Sequence, residues 1–369
     1  MPPFETSLRE DVRLAPFTTL GIGGPARYFS EVASASALAE GVAWARSRGL
    51  PLFVLGGGSN IVVSDSGFPG LVLRMGIRGI DAREEGGRVT VKAGAGEEWD
   101  ELVASSVERG RAGLECLSGI PGKVGATPVQ NVGAYGQETR ETLVSVEAYD
   151  LATGELAEMS ASECELGYRS SRFKHRDRDR FIITAVTYRL IAGGKPAIRY
   201  AELKRYLDEH GDEQGGEEGA AEPTLAQARR AVLALRARKA MVIDPSDPDS
   251  RSVGSFFVNP VVTTGEFERI KGRALRLSGD AESMPSFPAR PGHVKLSAAW
   301  LIEHAGFPRG VARGNVGTST KHALAIINRG GGTAREIIAL AEEIKAGVRE
   351  VFDVTLAPEP VFVGPGCEY

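Results

Sequence analysis

LSGIPGKVGATPVQNVGAYG, from Leu117 to Gly136, is the stretch on which the reading of this chain turns. It holds five glycines and two prolines, and Lys123 is its single charge. It follows neither the helical nor the strand period. Yet Ile120, Val124, Val129, Val132 and Tyr135 recur through it, so it is no polar linker. Glycine lets backbone approach a ligand closely, and an apolar, glycine-rich coil predicts backbone wrapped around something flat. The phosphate-loop spacing GxxxxGK[ST] fails, because Leu117 stands where the first glycine belongs and Val124 follows the lysine. A structureless loop of this length is usually functional.

Working outward, 369 residues predict two or three domains. A net charge of −4 gives no reason to expect nucleic acid or an anionic membrane as partner. No apolar run approaches the roughly 18 residues of a membrane span, and MPPFETSLREDVRLAPF at the start lacks a signal-type apolar core. Cys116, Cys164 and Cys367 form no CxxC, which argues for a reducing compartment and against a disulfide framework or a zinc site. The expected location is the cytoplasm.

Gly21-Ile22-Gly23-Gly24-Pro25-Ala26 satisfies the GxGxxG/A pattern but lacks its context. A dinucleotide fingerprint needs a buried strand before it and a helix after it, whereas Val12–Leu20 carries Arg13 and Pro16, and the strand-like ARYFSEV follows. A better βαβ unit runs from that strand through a helix at Ser34–Arg48, stopped by Gly49, to a strand at Leu50–Leu55. Gly56-Gly57-Gly58-Ser59-Asn60 comes next, then Ile61-Val62-Val63. Three glycines leave successive N–H groups able to point at one anion, a nest for a pyrophosphate; the alternative is a plain hairpin turn. Further on, the pattern predicts a strand at Arg88–Lys92, a helix at Glu97–Arg109, a hairpin of Leu143–Asp150 with Glu155–Ser160, and a strand at Phe181–Leu190. Tyr168–Lys174 (YRSSRFK) reads by itself as a solvated basic turn. Asp208–Pro223 is acidic and glycine-rich and reads as a flexible insertion. Helices at Thr224–Ala240, Thr264–Leu277, Ser297–Ala305 and Thr333–Phe352 and a strand at Ala323–Asn328 follow, and a strand-like tail carries Glu359.

Taken together, LGGGSN (55–60), SGIPGKVGATPVQNVGAYG (118–136), YRSSRFK (168–174), GSFFVNP (254–260), SAAWLIEHAG (297–306) and the Glu359 segment resemble one family, UDP-N-acetylenolpyruvoylglucosamine reductase. The six stretches stand in the family's order from about residue 17 to 364. The resemblance implies an α+β chain with a vanillyl-alcohol-oxidase-type FAD-binding fold of two subdomains, 1–78 and 79–243. It also implies a C-terminal α/β substrate-binding domain at 244–350 and a tail, 351–369, that returns Glu359 to the active site. The implied reaction is NADPH-dependent, FAD-mediated reduction of UDP-N-acetylglucosamine-enolpyruvate to UDP-N-acetylmuramate in peptidoglycan synthesis, by a monomer with non-covalent FAD.

Carried residue by residue, Gly56, Gly57, Gly58, Ser59 and Asn60 would hold the FAD pyrophosphate. Ser118, Gly119, Ile120, Pro121, Gly122, Gly125 and Ala126 would line the flavin and ribityl chain, with Gln130, Asn131, Gly133, Ala134, Tyr135 and Gly136. Arg169 would sit by the enolpyruvyl carboxylate, Ser255 would donate the proton, and Glu359 would assist at the same carboxylate. Tyr200, Lys239 and Asn259 match positions that contact the nucleotide-sugar. Pro360-Val361 follows Glu359 where the family usually has Val-Arg.

The residue types suit the chemistry. A planar guanidinium stabilises charge spreading into a carboxylate. A serine held in place is a sufficient acid for a carbanion-like centre, which is a strong base. None of the five histidines precedes residue 175, which disfavours covalent attachment of FAD through a histidine in these loops. Two other readings are an oxidase of the wider fold, with oxygen as acceptor, and a flavin- or nucleotide-sugar-binding regulatory module. A binding module has no need of a proton donor.

Overall fold

The computed structural model describes residues 4–210, 222–278 and 284–367. The chain folds into two compact units: Met1–Val12, Ala26–Gly58 and Pro69–Val242 form one, and Arg13–Pro25, Ser59–Phe68 and Ile243–Tyr369 form the other. Of the expected acidic insertion, residues 211–221 lie outside the described residues.

The first unit contains a four-stranded sheet in the order Arg9–Arg13, Pro25–Val32, Phe68–Met75, Leu52–Leu55, the last two parallel. Helix α1 (Ala35–Ser47) connects Pro25–Val32 to Leu52–Leu55. It begins where Ser34 accepts the Ala37 N–H at 3.1 Å, which satisfies one of the orphan donors of a helix N-terminus. Leu38, Val42 and Ala45, at helical spacing, are its buried face.

A second, antiparallel sheet runs Glu155–Ser160, Leu143–Asp150, Phe181–Ala192, Arg88–Gly94, Ile80–Glu85, with Arg111–Ala112 paired to the end of Phe181–Ala192. The central strand buries Ile182, Val186, Tyr188 and Leu190. They join Val91, Val146 and Trp99 in one core, Trp99 coming from helix α2 (Trp99–Glu108). Helices α3 (Ala201–His210) and α4 (Leu225–Arg238) build a smaller cluster from Leu203, Leu207, Ala231, Val232 and Leu235. Thr224 and Gln227 form a capping box at the start of α4.

The second unit centres on helix α7 (Ala334–Phe352), after α5 (Thr264–Ser278) and α6 (Ala298–His304). Ile337, Leu340, Ala341, Ile344, Val348 and Phe352 give α7 a continuous buried stripe, which packs in one core with Phe256, Phe257, Leu301 and Ile326. The early segment 59–68 belongs here for two reasons. Ile61–Val63 pairs in parallel with Val361–Val363, and the Asp65 carboxylate accepts the Ala334 and Arg335 N–H groups at 2.7 and 3.1 Å, a charge placed at a helix N-terminus. Segment 13–25 is tied in by Leu20 and Ile22 in the same core, and the Leu20 carbonyl accepts from the Asn328 amide at 2.9 Å.

One expectation changes and two plainer alternative readings fall. Gly56–Asn60 is no hairpin turn, because Leu52–Leu55 and Ile61–Val63 belong to different sheets. The 117–136 stretch is not wholly irregular: single 3₁₀ turns form at Glu115–Leu117 and Val124–Ala126, and Gly133–Ala134 pairs with Gln137–Glu138 across a two-residue turn. Tyr168–Lys174 is no solvated turn, since Ser171 and Phe173 are buried and Arg172 pairs with Asp177 at 2.7 Å. The GxGxxG/A stretch leads into the strand Pro25–Val32, not a helix, as its context predicted.

Candidate active site

In the first unit the two glycine-rich loops meet backbone to backbone. A Cβ on Gly57 would lie 2.6 Å from Gly122 Cα, so the approach requires glycine there. Among the described residues, the N–H groups of Gly56, Gly57 and Gly58 donate to no protein acceptor. Three consecutive free amides make an anion-binding concavity. Lys123, buried and paired with Glu98, runs beside Gly56. Loop 118–136 is anchored at many points: Val124 N–H donates to Glu97 O at 2.9 Å, Gly125 N–H to Ala95 O at 3.0 Å, and Trp99 Nε1 to Leu117 O at 3.1 Å. Thr127 Oγ1 and the Tyr188 hydroxyl lie 2.7 Å apart. Ser118 is committed to Glu115 O at 2.6 Å. The Asn131 side chain is spent on protein partners, donating to Glu138 and Gly167 O and accepting from Arg140 N–H, so it shapes the loop.

Arg169 is brought to this loop, its Nη2 donating to Gly133 O at 3.0 Å, and Ser171 donates to Val129 O. Asn131, Tyr135 and Arg169 all have φ between +47° and +50°. Left-handed backbone is uncommon outside glycine, and such outliers cluster at functional sites. Tyr135 meets Tyr200 edge to face, ring centroids 5.6 Å apart, and Lys239 Nζ lies 5.9 Å from the Tyr135 ring. Tyr200 stands at the start of α3 and Lys239 at the end of α4, so two predicted substrate residues converge on one predicted cofactor residue. Lys239 also pairs with Glu202 at 2.7 Å. Burial, then the Glu202 charge, pushes the Tyr200 phenol up.

Asp100, which sequence reading passed over, supports the loop from below. It accepts the Gly119 N–H at 2.6 Å and both Arg229 terminal nitrogens at 2.6 and 2.9 Å. Burial opposes its charge, but the Arg229 hydrogen bonds, the Gly119 N–H and the nearby guanidinium charges outweigh it and hold the carboxyl below its usual range. Because the folded value is depressed, its stabilisation is complete above the ordinary carboxylate value near 4 and is lost as pH falls through the folded value. Asp100→Asn should therefore flatten the acid limb of a urea-unfolding stability profile. At neutral pH it should cost about 1–2 kcal/mol, discounted because over a third of the side chain is exposed. An unchanged acid limb would remove Asp100 from this role.

In the second unit Ser255 and Glu359 are neighbours through their backbones. Glu359 N–H donates to Phe256 O at 2.9 Å, Val258 N–H to Ala357 O at 3.0 Å, and an antiparallel bridge pairs Phe257 with Pro358. Phe256 and Phe257, both fully buried, anchor the strip that carries Ser255. Asn60 joins them: its amide donates to Glu359 O at 3.3 Å and its carbonyl accepts Val361 N–H at 3.0 Å. Pro360 lies just outside the Val361–Val363 strand, where no ladder N–H is lost. The Asn259 side-chain oxygen accepts Ala298 N–H at 2.9 Å, at the start of α6.

A family described as FAD binding domain matches residues 26–160, and one described as UDP-N-acetylenolpyruvoylglucosamine reductase, C-terminal domain, matches 245–363. A UDP-N-acetylenolpyruvoylglucosamine reductase of Thermobifida fusca is 49% identical, over 97% of this chain and 99% of its own. The chain belongs to the UDP-N-acetylenolpyruvoylglucosamine reductase family. The relative from Streptomyces coelicolor is 46% identical over 96% of this chain and 90% of its own length. The crystal structure of a UDP-N-acetylenolpyruvylglucosamine reductase from Thermus caldophilus superposes with a TM-score of 0.64 at 25% identity, over 96% of this chain and 99% of that one. The chain is thus an FAD-dependent oxidoreductase with the α+β FAD-binding fold and the C-terminal domain of its family. Its residues fit the cofactor: three free amides and a glycine contact that no other residue permits form the kind of cradle a dinucleotide requires. Among the described residues no helix is long and apolar enough to cross a membrane.

Proposed function

We propose that this chain catalyses the NADPH-dependent, FAD-mediated reduction of UDP-N-acetylglucosamine-enolpyruvate to UDP-N-acetylmuramate, with Arg169, Ser255 and Glu359 as its catalytic residues. When bound, FAD takes reducing equivalents from NADPH and passes them to the substrate double bond. The Ser255 hydroxyl gives its proton to the substrate carbon next to the carboxylate. Arg169, its rotamer held by Gly133 O, stabilises the charge that spreads into that carboxylate. Glu359 orients the same group. Tyr200, Lys239 and Asn259 hold the nucleotide-sugar, Gly56–Asn60 the FAD pyrophosphate, and 118–136 the flavin and ribityl chain. The observation that carries this reading is the backbone pairing of the Ser255 strip with the Glu359 tail, which joins two sequence-distant candidates.

In this reading 1–78 and 79–243 are the two FAD subdomains, 244–350 is the UDP-sugar domain, and 351–369 returns Glu359. The enzyme works as a cytoplasmic monomer; three buried free thiols suit a reducing compartment.

The test is anaerobic. Flavin reduced with NADPH should be reoxidised on addition of UDP-N-acetylglucosamine-enolpyruvate, and no reoxidation would sink the proposal. Arg169→Lys keeps the charge but loses the fork. It should lower kcat for this step by about 10²–10³-fold, and a change confined to KM would assign Arg169 to binding alone.

A further inference from the structure

Asp249 lies in DPSDPDSRS (244–252), a Pro/Asp/Ser loop that leads into Gly254-Ser255 and whose composition suggests a solvated turn. The structure instead buries it, at 5% exposure. One oxygen, Oδ2, accepts three hydrogen bonds: from Ser319 Oγ at 2.9 Å, from Thr320 N–H at 2.7 Å and from Thr320 Oγ1 at 2.6 Å. Among the described residues no lysine or arginine nitrogen lies within 4.0 Å of the carboxylate, and Lys321, the cation in its field, is paired with Asp247 at 2.7 Å. Burial opposes the charge, but the Thr320 and Ser319 hydrogen bonds outweigh it and hold the carboxyl below its usual range. A buried carboxylate has to be met by donors, and here all three come from one short turn.

That turn is 319–325. Ser319 N–H donates to Ala325 O at 2.9 Å and closes it, and Ser319 Oγ accepts the Lys321 and His322 N–H groups at 3.0 and 3.3 Å. Near its end, Leu324 O accepts Phe256 N–H at 2.8 Å. The peptide between Ser255 and Phe256 is planar, so a hydrogen bond that fixes the Phe256 N–H also fixes the carbonyl side of Ser255. On the other side, Ser252 Oγ accepts Gly254 N–H at 3.1 Å, Ser252 O accepts from Thr19 Oγ1 at 2.6 Å, and Arg251 O accepts Asn328 N–H at 3.0 Å. Among the described residues the Ser255 hydroxyl has no protein partner of its own. Its aim is therefore set by backbone, and part of that backbone is held by the turn on Asp249.

We propose that Asp249 is a positioning residue for Ser255: its carboxylate folds the 319–325 turn, whose Leu324 carbonyl fixes the peptide after Ser255 and so aims the hydroxyl at the carbon it protonates. The inference rests on Ser255 as the proton donor, as given under the proposed function. In this role Asp249 moves no proton itself. It acts by holding a backbone carbonyl in place, and a displacement of about 1 Å at a reacting group can cost about 10²-fold in rate. Reduction of the flavin by NADPH does not use Ser255, so Asp249 matters to one half-reaction only.

Asp249→Asn keeps the size of the side chain and removes its charge. In the FAD-loaded protein it should slow reoxidation by UDP-N-acetylglucosamine-enolpyruvate by about 10–10²-fold. Flavin reduction by NADPH and the substrate Kd should stay within about threefold of wild type. In a Ser255→Ala background Asp249→Asn should slow reoxidation no further, because the group it positions is gone. Thr320→Val, which removes one of the three donors, should give a smaller loss with the same split, and it is the working variant if Asp249→Asn does not fold. Equal slowing of both half-reactions would overturn the proposal and make Asp249 a residue of the fold. So would weaker substrate binding at an unchanged reoxidation rate, slowing that adds to that of Ser255→Ala, or unchanged rates throughout. If Ser255→Ala itself leaves reoxidation at the wild-type rate, Ser255 is not the acid and the positioning role falls with it. If Ser255→Ala slows reoxidation and Asp249→Asn does not, only the role of Asp249 is lost.

Discussion

Ser255→Ala should separate the two half-reactions. Reduction of FAD by NADPH needs no proton from Ser255, so it should proceed at close to the wild-type rate. Reoxidation by UDP-N-acetylglucosamine-enolpyruvate must end with a proton on the neighbouring carbon, and that step loses its positioned donor. Such a donor contributes about 10²–10⁴-fold, and reoxidation should slow by that order. The fold should hardly notice: Ser255 is half-buried, and its place is set by Gly254 on one side and the buried Phe256–Phe257 pair on the other. Substrate binding should suffer far less than turnover, the pattern of an interaction made mainly in the transition state. Stopped-flow flavin absorbance resolves the two phases. Equal slowing of both would mean that Ser255 shapes the flavin site, and slowing of neither would remove it as the acid.

Gly57→Ala should cost the protein its cofactor. The added Cβ would sit 2.6 Å from Gly122 Cα, 3.2 Å from Gly122 C and 3.4 Å from Lys123 N. All three are backbone atoms, so nothing flexible can yield and the two loops must part. Overpacking of this kind costs about 1–3 kcal/mol, which corresponds to roughly five- to 150-fold weaker FAD binding if the strain is released by opening the cradle. Gly56→Ala is the informative control, because its Cβ would meet nothing nearer than Lys123 Cγ at 3.9 Å. The protein alone tolerates a methyl group there, so any loss of FAD from Gly56→Ala would report space taken by the cofactor itself. Fluorescence titration of the apoprotein gives both Kd values. Wild-type affinity in Gly57→Ala would show that the loop contact is not part of the FAD site.

Much of this was legible in the residues. Local signals set the helices: Ser34, Thr224, Ser297 and Thr333 each cap a helix within a residue of the expected start, because a cap is decided by a side chain and the backbone N–H three positions on. The hairpin around Ala152-Thr153-Gly154 is equally local and formed as expected. The family was also legible, since six motifs stand in its order, and a relative 49% identical over 97% of the chain bears the family out.

Contacts between distant residues were not legible. No local pattern shows that Ile61–Val63 pairs with Val361–Val363, or that residues 13–25 and 59–68 pack with a unit beginning near 243, because pairing partners some 300 residues apart leave no periodicity in either segment. The same limit hid Arg236 and Asp100. In the sequence each is one charge among several on an amphipathic helix, and a charge on a helix defaults to solvent. Only the tertiary structure buries Arg236, in α4, and leaves its Nε without a hydrogen-bond partner. The sequence by itself determined which helices form, the cofactor and the family. Tertiary structure decided which of these residues share a site, because that depends on burial and on long-range pairing.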